Sequence, residues 1–290
     1  MSDLLTSFGL PPLHDPEQII ANNRNLLAAS RIDGVVARPV AALKSEPDSA
    51  SETLSELLYG EPVQLIAEAP GWWFVISIID GYMGWTPESA ITEYEFLPTH
   101  RVTAPLTHLY SEPALKSEPE LILPMGAFLT LPGVTENGFA ESTYDGWVYE
   151  KHITRIGDTV DEDDPVAVAE QFIASPYLWG GRSKLGIDCS GLVQVSLART
   201  GYRVMRDTGP QFRSLGRALE DGEQPMRGDL AFFPGHVGWM IDSVHLLHAN
   251  ATNMAVTIDP VDEVTGWVAR DLARKGSDTA PFSGYRRISE

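Results

Sequence analysis

The sequence predicts an α+β protein in which two small β-barrels precede a domain of mixed helices and strands. Two observations predict the barrels: a unit of about 60 residues occurs twice before residue 158, and runs such as 72–79 are rich in β-formers and end at Asp80-Gly81. A third observation predicts the last domain. One helical pattern begins at the chain's single cysteine and is followed by short strands, an order typical of α+β domains.

The chain divides into four segments when it is read in order. Asp15 is a suitable cap and Pro16 a suitable first residue for a helix over residues 15–30. The acidic run at 161–164 is a linker by composition, and Asp164 caps a second predicted helix over 165–175. The predicted segments are a helical segment at 1–30, barrels at 31–97 and 98–158, and a last domain at 159–290.

The repeat is visible residue by residue. Six residues of the first copy recur 66 positions later, and five more recur 62 positions later, so the second copy has lost four residues from its middle. The first set is Pro39, Leu43, Ser45, Glu46, Pro47 and Gly60, and the second is Tyr82, Gly84, Trp85, Glu88 and Ile91. Two copies of one small β-fold are expected to close into barrels, because closure removes exposed strand edges.

Composition excludes several classes of function. With 40 acidic and 21 basic residues, the net charge of −19 argues against a nucleic-acid partner and is compatible with an amine-bearing ligand. One cysteine excludes an intrachain disulfide and a zinc site built from several cysteines. We find no signal-peptide pattern and no run of 18 apolar residues, so we expect a cytoplasmic protein with no membrane partner. We expect no cofactor, and the sequence leaves the oligomeric state open, with a monomer favoured.

The single cysteine is placed to act as a nucleophile. Cys189 follows a glycine-rich loop, and Asp188 is a suitable N-cap, so Cys189 falls in the first turn of a helix. Unsatisfied N–H groups and the helix dipole favour an anion there, so the helix start is expected to lower the thiol pKa. The alternative is a buried structural cysteine.

Two histidines are candidates for partners of Cys189. His236 and His248 lie in a predicted hairpin of strands 236–241 and 244–249, and a loop of three or five residues centred on residue 242 would place them directly opposite each other. A two-residue loop would separate them. His236 would then take the thiol proton and His248 would orient His236. There are two alternatives. The same three side chains could form a zinc site, or the histidines could be ordinary core and surface residues.

The last domain resembles the NlpC/P60 family of cysteine peptidases. The resemblance covers about residues 164–290 and rests on motifs in the family's order, which are Pro176–Gly181, Asp188–Gly191, Arg206–Gln211, Gly228–Leu230, His236–Gly238 and His248. It implies a papain-like fold and cleavage of bacterial cell-wall peptides between γ-D-glutamate and a diamino acid. It also implies that Cys189 is the nucleophile, His236 the base and His248 the orienting residue.

The resemblance extends to the substrate and to the preceding domains. It implies that Asp188 and Ser190 line the substrate pocket. Segment 59–91 resembles bacterial SH3-like domains, and tandem domains of this kind resemble a subgroup that trims free muropeptides. By that likeness Glu61 and Tyr82 would contact the ammonium of a free N-terminal L-alanine.

The predicted function is therefore a cysteine peptidase that releases L-Ala-γ-D-Glu from murein tri- or tetrapeptides during cell-wall recycling. The alternatives are a secreted hydrolase of polymeric wall, a non-catalytic wall-peptide-binding module and an acyltransferase. The sequence leaves open whether the diamino acid is lysine or meso-diaminopimelate.

Overall fold

The computed structural model describes residues 32–93, 96–143, 146–158 and 164–288. These residues form two compact units. The first holds the described residues up to 158 together with 182–184, and the second holds the described residues 164–181 and 185–288. The helix predicted over 15–30, Tyr144 and most of the acidic linker lie outside the described residues.

The first unit is built from antiparallel strands. Its first half carries β1 (Gly34–Val36), β2 (Val40–Lys44), β3 (Thr53–Leu58), β4 (Pro62–Ala69), β5 (Trp72–Ser77), β6 (Met83–Pro87) and β7 (Ile91–Thr92). These strands form one sheet in the order β3-β2-β6-β5-β4-β1-β7, with a short 3₁₀ helix at Glu88–Ala90. The side chains of its core include Val36, Leu43, Leu57, Val63 and Val75.

The second half of this unit has its own core and two smaller sheets. Its strands are β8 (His100–Val102), β9 (Leu106–Tyr110), β10 (Pro119–Pro124), β11 (Phe128–Leu129), β12 (Thr135–Glu136), β13 (Phe139–Glu141), β14 (Trp147–Tyr149) and β15 (Ile153–Arg155). The sheet orders are β10-β9-β14-β13-β12 and β11-β8-β15, and a 3₁₀ helix covers Glu150–His152. Strand β16 (Arg182–Ser183) also belongs to the first unit.

Equivalent backbone hydrogen bonds recur in the two halves of the first unit. The N–H of Ser45 donates to the carbonyl of Glu52 at 3.0 Å, and 66 residues later the N–H of Ser111 donates to the carbonyl of Glu118 at 2.9 Å. These bonds close the loops between β2 and β3 and between β9 and β10 in the same way. The repetition predicted from the sequence is therefore present in the backbone.

The second unit is an antiparallel sheet with helices, which confirms the predicted α+β class. Its elements are α1 (Pro165–Glu170), β17 (Gly186–Ile187), α2 (Cys189–Arg199), α3 (Thr208–Ser214), β18 (Arg217–Ala218), β19 (Asp229–Phe233), β20 (His236–Met240), β21 (His245–Asn250), β22 (Ala255–Pro260), α4 (Val261–Arg274) and β23 (Gly284–Arg287). The sheet order is β18-β23-β19-β20-β21-β22. Helix α2 is fixed to β20 by a hydrogen bond of 3.0 Å from the Trp239 indole to the Ser196 hydroxyl.

Three helices of the second unit differ from the sequence prediction, and one of them is α3, for which no helix was predicted. Helix α1 begins at Pro165 with Asp164 as its cap, as expected, but it ends at Glu170 and not at Ser175. Helix α4 was not predicted, although Val261 and Val264 are buried at helical spacing against the sheet. Among the described residues, every helix is too short or too polar to cross a lipid bilayer.

Candidate active site

The cysteine sits at the start of helix α2, as the sequence predicts. The Asp188 carboxylate accepts the N–H of Gly191 at 2.7 Å and so caps the helix whose first residue is Cys189. A Cβ at Gly191 would lie 2.4 Å from the carbonyl oxygen of Gly181, so the glycine-rich loop and the helix start meet backbone to backbone. Cys189 is 8% exposed, which leaves its thiol largely desolvated.

A buried ion pair fixes this helix start. Arg206, which is 1% exposed, donates from Nη1 and Nη2 to the two carboxylate oxygens of Asp188 at 2.9 and 2.6 Å. Its Nη1 also donates to the Ser190 hydroxyl at 2.9 Å, and the Gln211 amide donates to the Ser190 carbonyl at 3.0 Å. The 206–211 motif therefore holds the residues that flank Cys189.

The surroundings of Cys189 raise its pKa, contrary to the expectation from the helix start. Burial is the main cause, the Asp188 carboxylate adds to it, and together they raise the pKa of Cys189 to about 11. A hydrogen bond from Thr208, whose hydroxyl is 3.9 Å from the sulfur, and one from the N–H of Val237 oppose this shift without cancelling it. The prediction of a lowered pKa was wrong because desolvation and a neighbouring carboxylate outweigh the helix start.

The two candidate histidines meet through their rings, although the hairpin register differs from the one expected. Trp239 pairs with Leu247 and Met240 with Leu246, so the loop has three residues but is centred on residue 243, not 242. Extending this register places His248 opposite Gly238, which makes His236 and His248 diagonal neighbours on one face. Their rings still bond, with 2.7 Å between His236 Nε2 and His248 Nδ1.

Gly238 makes this diagonal contact possible. A Cβ at position 238 would lie 2.7 Å from the Cβ of His248 and 2.8 Å from Cγ of Leu246. Only a residue without a side chain lets β21 approach β20 this closely. The hairpin therefore brings the histidines together by close strand approach and not by direct pairing.

Both rings are uncharged near neutral pH. Burial, with the nearby His248 adding to it, lowers the pKa of His236 to about 3. Burial also lowers the pKa of His248, and the hydrogen bond to Asp259 opposes that shift. At rest the site therefore combines a neutral thiol with neutral imidazoles.

The geometry does not suit the zinc alternative. His236 Nε2 and His248 Nδ1 point at each other, so these two nitrogens do not converge on a common metal position. In the part of the chain that the structure describes, no group of three or more His, Cys, Asp and Glu side chains is arranged to hold a metal ion.

Three residues near these side chains were missed in the sequence analysis. Asp259, on the strand after His248, has a carboxylate oxygen 3.1 Å from His248 Nε2. The amide nitrogen of Asn250 is 3.3 Å from the same ring nitrogen. Tyr177 is half-buried, and burial together with the charges of Cys189 and Asp188 raises its pKa. The register of β22 against β21 would have been needed to find Asp259.

The predicted substrate residues are engaged with other protein groups. Asp188 and Ser190 both bond to Arg206 and are largely buried. In the first unit, both Glu61 carboxylate oxygens accept from Arg182 at 3.0 Å, and burial, opposed by Arg182, raises the Glu61 pKa. Tyr82 is half-buried beside the core of that unit. Their roles toward substrate remain predictions.

Comparison with known proteins gives the same assignment as the motifs. The NlpC/P60 family profile matches residues 174–273, and the profile of the bacterial dipeptidyl-peptidase Sh3 domain matches residues 43–91. The chain is 30% identical over 232 residues to the gamma-D-glutamyl-L-lysine dipeptidyl-peptidase of Bacillus subtilis (strain 168), covering 70% of this chain and 74% of that protein. The chain belongs to the NlpC/P60 family. This NlpC/P60 protein is a cysteine peptidase.

Two further relatives cover more of the molecule. Dipeptidyl-peptidase 6 of Lysinibacillus sphaericus is 28% identical over 269 residues, which are 83% of this chain and 96% of that protein. The crystal structure of an NlpC/P60 family protein from Bacillus cereus ATCC 10987 superposes with a TM-score of 0.70 at 22% identity, covering 88% of this chain and 99% of the other. The fold of this NlpC/P60 protein, with an N-terminal SH3 domain, agrees with the sequence prediction.

Proposed function

We propose that this cysteine peptidase cleaves the amide between γ-D-glutamate and the diamino acid of murein tri- and tetrapeptides, releasing L-Ala-γ-D-Glu. This proposal narrows a broader function, the hydrolysis of cell-wall peptides, which the names of the relatives support. One observation carries the proposal: the buried Cys189 lies at a helix start next to the N–H of Val237, the residue that follows His236, and His236 bonds His248 at 2.7 Å.

The reaction begins with a neutral Cys189 thiol and a neutral His236 imidazole. His236 uses Nε2 for His248, so Nδ1 is the nitrogen left to accept the thiol proton of Cys189. The thiolate then attacks the γ-glutamyl carbonyl carbon, and the imidazolium of His236 gives its proton to the leaving amine. Water hydrolyses the resulting thioester, with His236 as base, and Cys189 regains its proton.

The first turn of α2 stabilises the negative charge that develops during this reaction. The N–H groups at a helix start are not used by the helix itself, and the N–H of Cys189 is one of them. It is the donor that we assign to the oxyanion of the tetrahedral intermediate. The charge that develops on the carbonyl oxygen is then stabilised at the end of a dipole.

The bond specificity is supported by the names of the relatives. Two of them are called gamma-D-glutamyl-L-lysine dipeptidyl-peptidase, and the matched N-terminal domain is described as the Sh3 domain of a bacterial dipeptidyl-peptidase. A dipeptidyl-peptidase needs a free N-terminal amine, so its substrates are peptides already released from the wall. A recycling role and a cytoplasmic location therefore accompany the proposal, and cell fractionation tests the location.

Product analysis by mass spectrometry tests the proposed reaction. Wild type, Cys189→Ala and His236→Ala would each be given L-Ala-γ-D-Glu-diamino acid, its N-acetylated form and intact peptidoglycan. We expect wild type alone to cleave the free tripeptide, with lysine and meso-diaminopimelate versions compared. Cleavage of the acetylated peptide or of the polymer would instead indicate a hydrolase of polymeric cell wall. No cleavage of any of these compounds would favour a non-catalytic binding module.

The contact of Tyr82 and Glu61 with the free amine is a separate part of the proposal. Tyr82→Phe is expected to raise KM for the free tripeptide and leave kcat nearly unchanged, because the hydroxyl would only bind the ammonium. An unchanged KM would remove Tyr82 from the substrate site. Glu61→Gln is less informative, because it leaves the buried Arg182 without its carboxylate partner.

A further inference from the structure

One carboxylate oxygen of Asp259, beside His248, accepts hydrogen bonds from several groups. Oδ2 of Asp259 accepts from the Thr257 hydroxyl at 2.5 Å and from the Asn253 amide at 3.3 Å, and it lies 3.1 Å from His248 Nε2. The imidazole is fully buried, and its ring is stacked on Trp267 with 6.2 Å between ring centres. Asp259 is therefore held in place by groups other than the histidine that it bonds.

Two neighbours of His248 Nε2 require opposite tautomers. A carboxylate only accepts, so Asp259 requires a proton on Nε2, whereas an amide donor from Asn250 would require a lone pair there. The Asn250 side chain is oriented by the N–H of Asn253, which donates to its Oδ1 at 2.8 Å, and this leaves Nδ2 facing the ring. The charge-assisted bond to Asp259 is both shorter and stronger, so it decides the tautomer.

The tautomer of His248 fixes that of His236. With the proton on Nε2, His248 Nδ1 carries a lone pair and accepts the Nε2 proton of His236. A neutral His236 protonated on Nε2 has its lone pair on Nδ1. That nitrogen is the one proposed to take the proton of Cys189.

We propose that Asp259 is a positioning residue that sets the protonation pattern of both histidines and so keeps His236 Nδ1 free as the base. The inference rests on the proposed catalytic roles of Cys189, His236 and His248. Asp259 touches no reacting atom in this scheme. It acts through His248, and its charge also stabilises the imidazolium that forms on His236 when the thiol proton moves.

Removing the carboxylate should reverse the pattern. In Asp259→Ala the remaining partner of His248 Nε2 is the Asn250 donor, which favours the proton on Nδ1 of His248 and hence on Nδ1 of His236. In Asp259→Asn the donors from Thr257 and Asn253 draw the amide oxygen to the Oδ2 position, so the tautomers are kept and only the charge is lost. The two variants thus separate the tautomer from the charge.

Nitrogen NMR of the full-length protein labelled with ¹⁵N-histidine reads the tautomers without any substrate. The chain has seven histidines, so the signals of His236 and His248 would be assigned by their loss in His236→Gln and His248→Gln. We expect both residues protonated on Nε2 in wild type and in Asp259→Asn, and on Nδ1 in Asp259→Ala. Wild-type tautomers in a folded Asp259→Ala protein would overturn the inference.

Kinetics with the free tripeptide give the second readout. We expect kcat to fall about 100-fold or more in Asp259→Ala with little change in KM, because a wrong histidine tautomer disables the base. Asp259→Asn should lose only about tenfold, since a charge-assisted bond is roughly twice as strong as a neutral one. Full kcat in Asp259→Asn would overturn the proposed charge effect even if the alanine variant failed to fold.

The same hairpin offers a matched control. Asp242 Oδ2 is 2.8 Å from Nδ1 of His245, an exposed aspartate–histidine pair whose histidine lies on the same strand as His248. Asp242→Asn removes an equivalent charge but keeps the Oδ1 that accepts the N–H groups of Val244 and His245, so it is expected to keep wild-type kcat and tautomers. If wild type cleaves no wall peptide, the proposed function fails, while the tautomer measurement still decides the role of Asp259.

Discussion

A methyl group added at Gly238 should disable the site by separating two strands. In Gly238→Ala the new Cβ would lie 2.7 Å from the Cβ of His248 and within 2.9 Å of the Leu246 side chain. Carbon atoms prefer about 3.5–4.0 Å, so β21 must move by about 1 Å at His248, whose Cβ cannot rotate away. The 2.7 Å bond between the histidine rings would then stretch beyond hydrogen-bonding length.

The expected cost falls on both stability and rate. Overpacking of this kind lowers the free energy of unfolding by about 1–3 kcal/mol. A displacement of about 1 Å in a catalytic group lowers kcat about 100-fold. Urea denaturation and tripeptide turnover measure the two effects separately.

A second glycine provides the control for this substitution. At Gly266 in α4 a Cβ would meet only the end of the Arg270 side chain at 3.5 Å. Gly266→Ala should therefore raise the free energy of unfolding by up to about 1 kcal/mol, the helix propensity difference, and leave kcat unchanged. Wild-type urea midpoint and kcat in Gly238→Ala would refute the argument from close strand approach.

Three further predictions follow from burial and charge. Alkylation of Cys189 by a neutral reagent should rise with pH toward a midpoint of about 11, and a plateau at neutral pH would instead show a resting thiolate. The pKa of His236 is lowered to about 3 in the folded protein, so between about pH 6.5 and pH 3 the unfolded chain binds a proton that the folded protein does not. The free energy of unfolding therefore falls as the pH falls through this range. His236→Gln should weaken this dependence of the urea midpoint on pH. Arg206→Met leaves the buried Asp188 carboxylate without its charged partner and should lower the free energy of unfolding in urea by about 3–5 kcal/mol. Arg274→Met removes one member of an exposed pair and should leave the free energy of unfolding unchanged.

Local signals in the sequence predicted the start of the nucleophile helix correctly. A capping Asp188, a glycine-rich loop and an apolar helical spacing after Cys189 all act within a few residues. The thiol pKa could not be predicted in the same way. It depends on burial and on the Asp188 charge, and the hydrogen bonds that oppose the shift come from Thr208 and Val237, which are distant in sequence.

The hairpin shows where sequence periodicity stops being informative. Alternation placed His236 and His248 on one face, but the register depends on the turn. Asp242 accepts the N–H groups of Val244 and His245 at 2.7 Å each, and this side-chain turn fixes a three-residue loop one position later than expected. Asp259 could not be found at all without that register, because its strand aligns with His248 only through the pairing of β21 and β22.

The repeated turns of the first unit bear on how the chain folds. Adjacent segments with interchangeable hairpins can exchange strands during folding, and multidomain chains commonly misassemble in this way. Here the loops closed by Ser45 and Ser111 share their backbone bonds, but the segments between the matched positions differ in sequence and length. Divergence between the copies thus protects against strand exchange, and a variant with two identical copies would be expected to refold in lower yield.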